Sequence, residues 1–412
     1  MKKVLFFFPH NPFPPKTGAH KRCLELLVGL RELGCDITFA SSTYTSDQIW
    51  SPAGIEGLQK KIGCKVELHT PSDVERIVSK AFNVAKRIFL NDQYRLQTRT
   101  SVSICSWFSD LSRSLDPEIL FMNYVFYDSI ADQNTTGRVC KKIMEMHDLV
   151  TLNLKMQKAI LKLTGFNRLK AGQIPQEVLD VNFFQARDFS ADRKEFEVYD
   201  KYDFTLCISE NEKNIVSTYA PNTEAVFLPM THSVSYLHNT YSADAFFCLG
   251  PNIFNIQGYY FFIDKVLPII LKKQPDFRLV VTGNTFCNIS PVVPNGVIFK
   301  GFVDNLQYFY ENSKFFICPV FGGTGQQVKI VESMAHGLPV IALHTMDSNS
   351  PIRHNINGLL ARNAEDFAEC VIKLWNNKEI CSQLGDNSRE TIATEFSDTL
   401  LCQNLKYVLD AQ

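Results

Sequence analysis

Lys329, Glu332 and His336 stand three and four residues apart, directly behind the loop Gly322-Gly323-Thr324-Gly325-Gln326-Gln327. At helical spacing Lys329 and Glu332 share one face, and His336 lies one turn beyond Glu332. A glycine loop that opens a helix presents backbone N–H groups at the positive end of that helix, and its preferred guest is a phosphate. An ammonium just inside the helix offsets the charge of a diphosphate. A carboxylate accepts hydrogen bonds from both hydroxyls of a vicinal diol, such as that of a ribose or a sugar. The plain alternative is a tight turn followed by an exposed i,i+3 ion pair, which contributes little. Ligand binding is the preferred reading, because both charges face the mouth of the loop. A second candidate is His147, which with Asp148 follows the apolar run 142–146 directly. That is the end of a strand, where open α/β sheets bind ligands. A histidine there can hydrogen-bond a sugar hydroxyl or a phosphate. A core histidine held by Asp148 stays open as the other reading.

These residues need a strand–loop–helix–strand frame, and the sequence supplies one. Phe315–Val320 reads as a buried strand, Val328–Met334 as a helix stopped by Gly337 and Pro339, and Val340–Leu343 as the next strand. The N-terminus repeats the pattern. Val4–Phe8 is a strand, His10–Gly18 a proline-rich loop, His20–Leu33 an amphipathic helix closed by Gly34, and Ile37–Ala40 the next strand. Further strands are expected at Val66–His69, Ile119–Met122, Lys142–Met146 and Thr205–Ile208, alternating with helical segments. A second start follows. Strands are expected at Phe246–Leu249, Arg278–Thr282 and Val297–Lys300, with helices at Tyr259–Lys272, Leu306–Asn312, Asp366–Trp375, Ile380–Thr394 and Thr399–Asp410. The expected fold class is α/β, with two doubly wound domains at 1–235 and 236–395 and a linker in Leu228–Ser242.

Composition narrows the function classes. A chain of 412 residues is too long for one core. A net charge of −1 argues against a dedicated nucleic-acid binder. Twelve cysteines are scattered with no CxxC, so zinc and thioredoxin-like readings fail on spacing, and reduced core thiols are expected. Val4–Phe8 is shorter than the ~7 residues of a leader's apolar core, and no stretch reaches the ~20 residues of a spanning helix. A cytoplasmic protein is expected. Two basic amphipathic stretches, 74–89 and 155–172, read as solvated faces or as a peripheral contact with anionic lipid. There is no DxD, HExxH, GxxxxGK[ST] or GxSxG, and the first loop is not GxGxxG.

The motifs taken together resemble the retaining family-4 glycosyltransferases of the GT-B type, over nearly the whole chain. The entry PPKTGAHKRCLELLVGLRELG is similar to that family's, as are the strand ending in Ser209, Asn255 with Gly258, Val281-Thr282-Gly283 and Gly301-Phe302-Val303-Asp304. The most specific stretch is GGTGQQVKIVESMAHGLPVIA. The chain departs from the pattern in four places. Thr324 stands where a first acid is usual, eight residues before Glu332, and Gln327 where a base is usual. Pro229-Met230-Thr231 replaces Pro-Asn-Gly, and the loop Gly250–Tyr260 holds no basic pair. The resemblance implies two facing Rossmann-like domains with the active site between them, and a C-terminal helix, about 396–412, crossing back to the first. It implies transfer of a sugar from a UDP- or GDP-sugar to a saccharide or lipid-linked acceptor, as in polysaccharide and glycoconjugate synthesis, without a metal and with retention. Gly322–Gln327 and Gly18 would meet phosphate, Lys329 the diphosphate, Glu332 the ribose and His147 the sugar. Two other classes stay open: a GT-B enzyme of other chemistry, such as an epimerase or phosphorylase, and a non-catalytic GT-B partner subunit.

Overall fold

The structure, a computed structural model, describes residues 1–78, 100–131, 140–164, 174–283, 293–345 and 350–411. The chain divides into two compact units: Met1–Thr151 with Ala191–Met230 and Asp398–Gln412, and Leu152–Ser190 with Thr231–Ser397.

The first unit is built on seven parallel strands: β1 (Lys3–Phe7), β2 (Asp36–Ser42), β3 (Lys65–His69), β4 (Ile119–Asn123), β5 (Lys141–Glu145), β6 (Phe204–Cys207) and β7 (Glu224–Phe227). They lie in the order β3-β2-β1-β4-β5-β6-β7. The chain builds outward from β1 in one direction, then returns and builds in the other, so the order reverses between β1 and β4. The register there is Val4↔Ile37 on one side of β1 and Val4↔Ile119 on the other. Parallel strands covered on both faces must be apolar throughout. Phe6, Phe39 and Phe121 meet this demand on the adjacent strands β1, β2 and β4, with the Phe6 ring centroid 6.0 Å from that of Phe39 and 4.8 Å from that of Phe121.

The final helix, Asp398–Asp410, completes this core through Leu401, Leu405, Val408 and Leu409. It packs on the helix Gly18–Glu32, where a Cβ on Gly29 would stand 2.7 Å from Leu405 Cδ1. The expected return of the C-terminal helix to the first unit is what the structure shows. Below this packing, Arg22 donates from Nε and Nη2 to Glu145 at 3.2 Å and 2.9 Å, and to the carbonyls of Pro229 and Leu228. Both charged residues are buried. Burial pushes the Glu145 carboxyl up from its ordinary range, against the pull of Arg22.

The second unit carries six parallel strands: β8 (Ala245–Cys248), β9 (Leu279–Thr282), β10 (Val297–Gly301), β11 (Phe316–Cys318), β12 (Val340–Leu343) and β13 (Gly358–Ala361). Their order is β10-β9-β8-β11-β12-β13, reversing between β8 and β11. The short strands β7 and β13 were not expected from the sequence. Each ends its sheet and has one strand neighbour. The expected helix Tyr259–Lys272 instead begins at Ile253, capped by the Asn252 side chain, and passes through a widened turn at Phe262–Val266 into Leu267–Lys273. Pro268 has no N–H to donate and would crowd the carbonyl four residues back, so the turn relaxes there.

Residues 152–190, expected in the first domain, belong to the second unit. Met156, Ile160, Val178, Leu179, Phe183 and Phe184 are buried in its core, and Gln257 Nε2 donates to the Val178 carbonyl at 2.7 Å. The apolar side of the basic stretch 155–172 is therefore used inside the protein. Its residues 165–172, and residues 79–89 of the other basic stretch, lie outside the described residues. Among the described residues no helix is long and apolar enough to cross a membrane, and the described cysteines are free thiols.

Replacing Arg22 by Met leaves Glu145 buried without its partner. The expected cost is about 3–5 kcal/mol of stability, read by urea denaturation; a loss below about 1 kcal/mol would show that the pair does not hold this core.

Candidate functional site

The order of the second sheet decides where its site lies. In open α/β sheets ligands bind beyond the C-terminal strand ends, at the point where strand order reverses. Here that point is flanked by Cys248, the last residue of β8, and Cys318, the last residue of β11. The glycine loop follows β11 and leads into the helix Val328–Ala335. No side chain caps this helix and no acid stands in its first turn. A bound anion would supply what both lack. Gly323 has φ 104°, a conformation open mainly to glycine. Gly322 is fixed by crowding: a Cβ there would stand 2.5 Å from both Phe184 and Phe254. Thr324 and Gln326 are buried. Asn153, from the helix Val150–Leu163, brings its amide beside Gly323.

Lys329 does not form the exposed ion pair of the plain alternative. Its ammonium reaches across the reversal point, donating to the Cys248 carbonyl at 2.5 Å and to Asn255 Oδ1 at 3.1 Å. A Cβ on Gly250 would stand 2.7 Å from Lys329 Nζ, so glycine there makes room for the lysine. Burial pulls its pKa down from the ordinary lysine range. Glu332, half-buried one turn on, is close enough for its charge to favour that ammonium. Burial pushes the Tyr310 hydroxyl well above the usual range, and the nearby charge of Glu332 adds to the push. His336 lies flat against Tyr310 at 4.2 Å between ring centroids, with Nδ1 2.8 Å from the Glu332 carbonyl.

In the first unit, His147 follows β5 and has φ 65°. It stacks on Tyr124 at 3.9 Å between centroids, and its Nε2 lies 3.0 Å from Asn123 Oδ1. Asn123 ends β4 and donates from Nδ2 to the carbonyl of Phe7, which ends β1. With Oδ1 facing the ring, Nε2 of His147 carries the proton. Burial, followed by the charges of Arg22 and His10, holds the imidazole well below its ordinary pKa, so the ring is neutral. The other reading held this histidine by Asp148, whereas the ring bond is made to Asn123. Gly18 is the exposed first residue of its helix, behind the cap made by Thr17 Oγ1 to the His20 N–H at 3.2 Å. Phe8 is in ring contact with both His20 and His147, which places these features at one end of the sheet.

Thus the second unit brings Gly322–Gln327, Lys329 and Glu332 together, and the first gathers Gly18 and His147 at its own strand ends. Sequence reasoning gave no role to Asn255, Tyr310 and Asn123. Asn255 entered only as part of a family pattern, and Tyr310 only as one aromatic of a short helix.

Comparison with known proteins agrees with this geometry. Residues 243–377 match the family model described as Glycosyl transferases group 1. The chain is 25% identical over 226 residues to a 44.6 kDa protein in the cps region of Klebsiella pneumoniae, covering 52% of this chain and 57% of that protein. It is 26% identical over 186 residues to an uncharacterized glycosyltransferase of Haemophilus influenzae, covering 43% and 50%. The chain spans about half the length of the curated relatives it matches. Solved structures match over the whole chain. Sucrose-phosphate synthase from Thermosynechococcus elongatus has a TM-score of 0.66 at 13% identity, over 99% of this chain and 98% of that one. A variant of S. aureus TarM in complex with Fondaparinux, alpha-GlcNAc-glycerol and UDP has 0.67 at 12%, over 100% of both. Anabaena HepE in complex with UDP and glucose has 0.61 at 11%, also over 100% of both. The fold is GT-B.

Because Phe184 and Phe254 close on Gly322, the Gly322→Ala protein is expected to lose about 1–3 kcal/mol in thermal or urea denaturation. A melting temperature like that of the parent would show that this side of the loop is not tightly packed.

Proposed function

We propose that this protein is a glycosyltransferase that moves a sugar from a nucleoside diphosphate sugar to a saccharide or lipid-linked saccharide, with retention at the anomeric carbon. The observation that carries the reading is Lys329, half-buried at the sheet's reversal point beside an uncapped glycine loop, with Glu332 on the same helix. This constellation lies inside the residues that match Glycosyl transferases group 1. Support for the substrate class comes from TarM and HepE, each solved with UDP, and from the cps region of the Klebsiella relative.

In this reading the N–H groups of Gly323–Gln326 take phosphate oxygens. An ammonium has three donors; with Cys248 and Asn255 accepting two, the third serves the diphosphate. Glu332 accepts from the ribose hydroxyls. As the sugar–phosphate bond breaks, negative charge grows on the leaving diphosphate, and these fixed donors stabilise it without rearranging. No metal is assigned a part. In the first unit the reading gives His147 to a hydroxyl of the transferred sugar, as a neutral ring, and the loop ending at Gly18 to phosphate and acceptor.

Glu332→Ala and Lys329→Met proteins are expected to fold. Each is expected to lose about 10²–10³-fold in sugar transfer, followed with labelled UDP- and GDP-sugars. Transfer at the parent rate by both would sink the assignment. Tight nucleotide binding without transfer by the parent protein would favour the non-catalytic reading. Proton NMR of the first-formed product reads the anomeric outcome, and an inverted linkage would contradict retention.

A further inference from the structure

The helix Val150–Leu163 carries a polar residue where its packing calls for an apolar one. Asn153, Met156 and Ile160 recur three and four residues apart, so they share one face. Met156 and Ile160 are buried in the core of the second unit with Val178, Leu179 and Phe184. Asn153 heads the same stripe. Its Oδ1 is shut off from solvent and, among the described residues, has no hydrogen-bond partner. The amide oxygen is therefore dry without serving the fold.

That oxygen stands at the glycine loop. A Cβ on Gly323 would lie 3.8 Å from Asn153 Oδ1, and 3.5 Å and 3.7 Å from atoms of the Phe254 ring. Phe184 meets Phe254 edge to face, 5.7 Å between centroids, and both crowd the neighbouring position, Gly322. The start of the loop thus has aromatic walls and one bare acceptor. A buried acceptor left unpaired costs the desolvation of that group, and the low dielectric of apolar neighbours raises the cost. A ligand that brings a proton donor to this point removes it.

We propose that Asn153 binds the sugar carried on the diphosphate, its Oδ1 accepting a hydrogen bond from one of that sugar's hydroxyls. The proposal rests on the reading of the glycine loop as the diphosphate site. What Oδ1 lacks is a donor, and this sorts the parts of the ligand. An ionised diphosphate has acceptors only, so it gains nothing from this oxygen. The ribose hydroxyls belong to Glu332, on the helix that follows the other end of the loop. A hydroxyl of the transferred sugar can donate, and that sugar is joined directly to the phosphate that the loop holds. Asn153 at Gly323 therefore marks the sugar end of the loop, and Glu332 the nucleoside end.

The test uses the Asn153→Leu protein, because leucine keeps the branched shape and removes the acceptor. Asn153→Ala is run beside it, so that a misfit of leucine does not decide the result. UDP, GDP, UDP-glucose, UDP-N-acetylglucosamine and GDP-mannose are titrated by calorimetry into the full-length parent and both variants, with melting temperatures as a folding control. Both variants are expected to bind the bare diphosphate as the parent does. They are expected to bind the sugar nucleotide that the parent accepts about fivefold to tenfold more weakly. The ligand-free Asn153→Leu protein is expected to melt at or above the parent temperature, since it loses an unpaired acceptor and no bond. An equal loss for bare diphosphate and sugar nucleotide, or no loss for either, overturns the sugar contact and leaves the loop as the diphosphate site. A parent that binds the diphosphates and none of the three sugar nucleotides also overturns the sugar contact. A parent that binds no nucleotide overturns the diphosphate reading and the Asn153 proposal with it.

Discussion

A charged ammonium taken out of water has to be given acceptors, and the structure of the second unit is arranged around that demand. Lys329 stands on the first turn of a helix, yet its Nζ ends at the carbonyl that closes β8. That carbonyl is available because β8 stops at the reversal of strand order, where no crossover covers the strand end. Asn255 is aimed at the same ammonium by the helix that follows β8, and Gly250 has no side chain to obstruct it. Remove the lysine and two acceptors lose their donor. Keep it, and a cation stands beside a loop rich in N–H donors. The same group serves packing and binding, because the crevice that anions enter is also the place where strand ends leave backbone groups unpaired.

The first unit solves a related problem with a neutral group. Asn123 spans its reversal point by donating to the carbonyl of Phe7, and its other amide atom fixes the imidazole of His147. Burial keeps that ring uncharged. One sheet thus ends in a cation suited to phosphate, the other in a neutral donor–acceptor ring suited to hydroxyls. The difference follows from one side chain at each reversal point, lysine in one and asparagine in the other, on frames of the same topology.

Much of this frame could be read from the sequence, because parallel strands buried on both faces leave unbroken apolar runs. The central strands β1, β4, β8, β11 and β12 fall where Val4–Phe8, Ile119–Met122, Phe246–Leu249, Phe315–Val320 and Val340–Leu343 placed them. The edge strands β7 and β13 were missed. Glu224–Phe227 has one exposed and three partly buried side chains, so it carries no such run. The segment 152–190 was misplaced, because a lysine-rich helix and a stretch of scattered phenylalanines carry no mark of which core they join. Within the site, the glycine loop, Lys329 and Glu332 are local in sequence and could be read there. Tyr310 and Asn255 lie 22 and 74 residues from their neighbours in the site, Glu332 and Lys329, and only folding brings them together.

The central claim is that the second unit binds a nucleoside diphosphate through this loop and helix. It is tested most directly by a crystal structure of the full chain grown with UDP or GDP at saturating concentration. The account predicts phosphate oxygens within hydrogen-bond distance of the Gly323–Gln326 N–H groups and of Lys329 Nζ, and the ribose hydroxyls on Glu332. A nucleotide bound elsewhere on the chain, or bound here with its ribose turned away from Glu332, would contradict it.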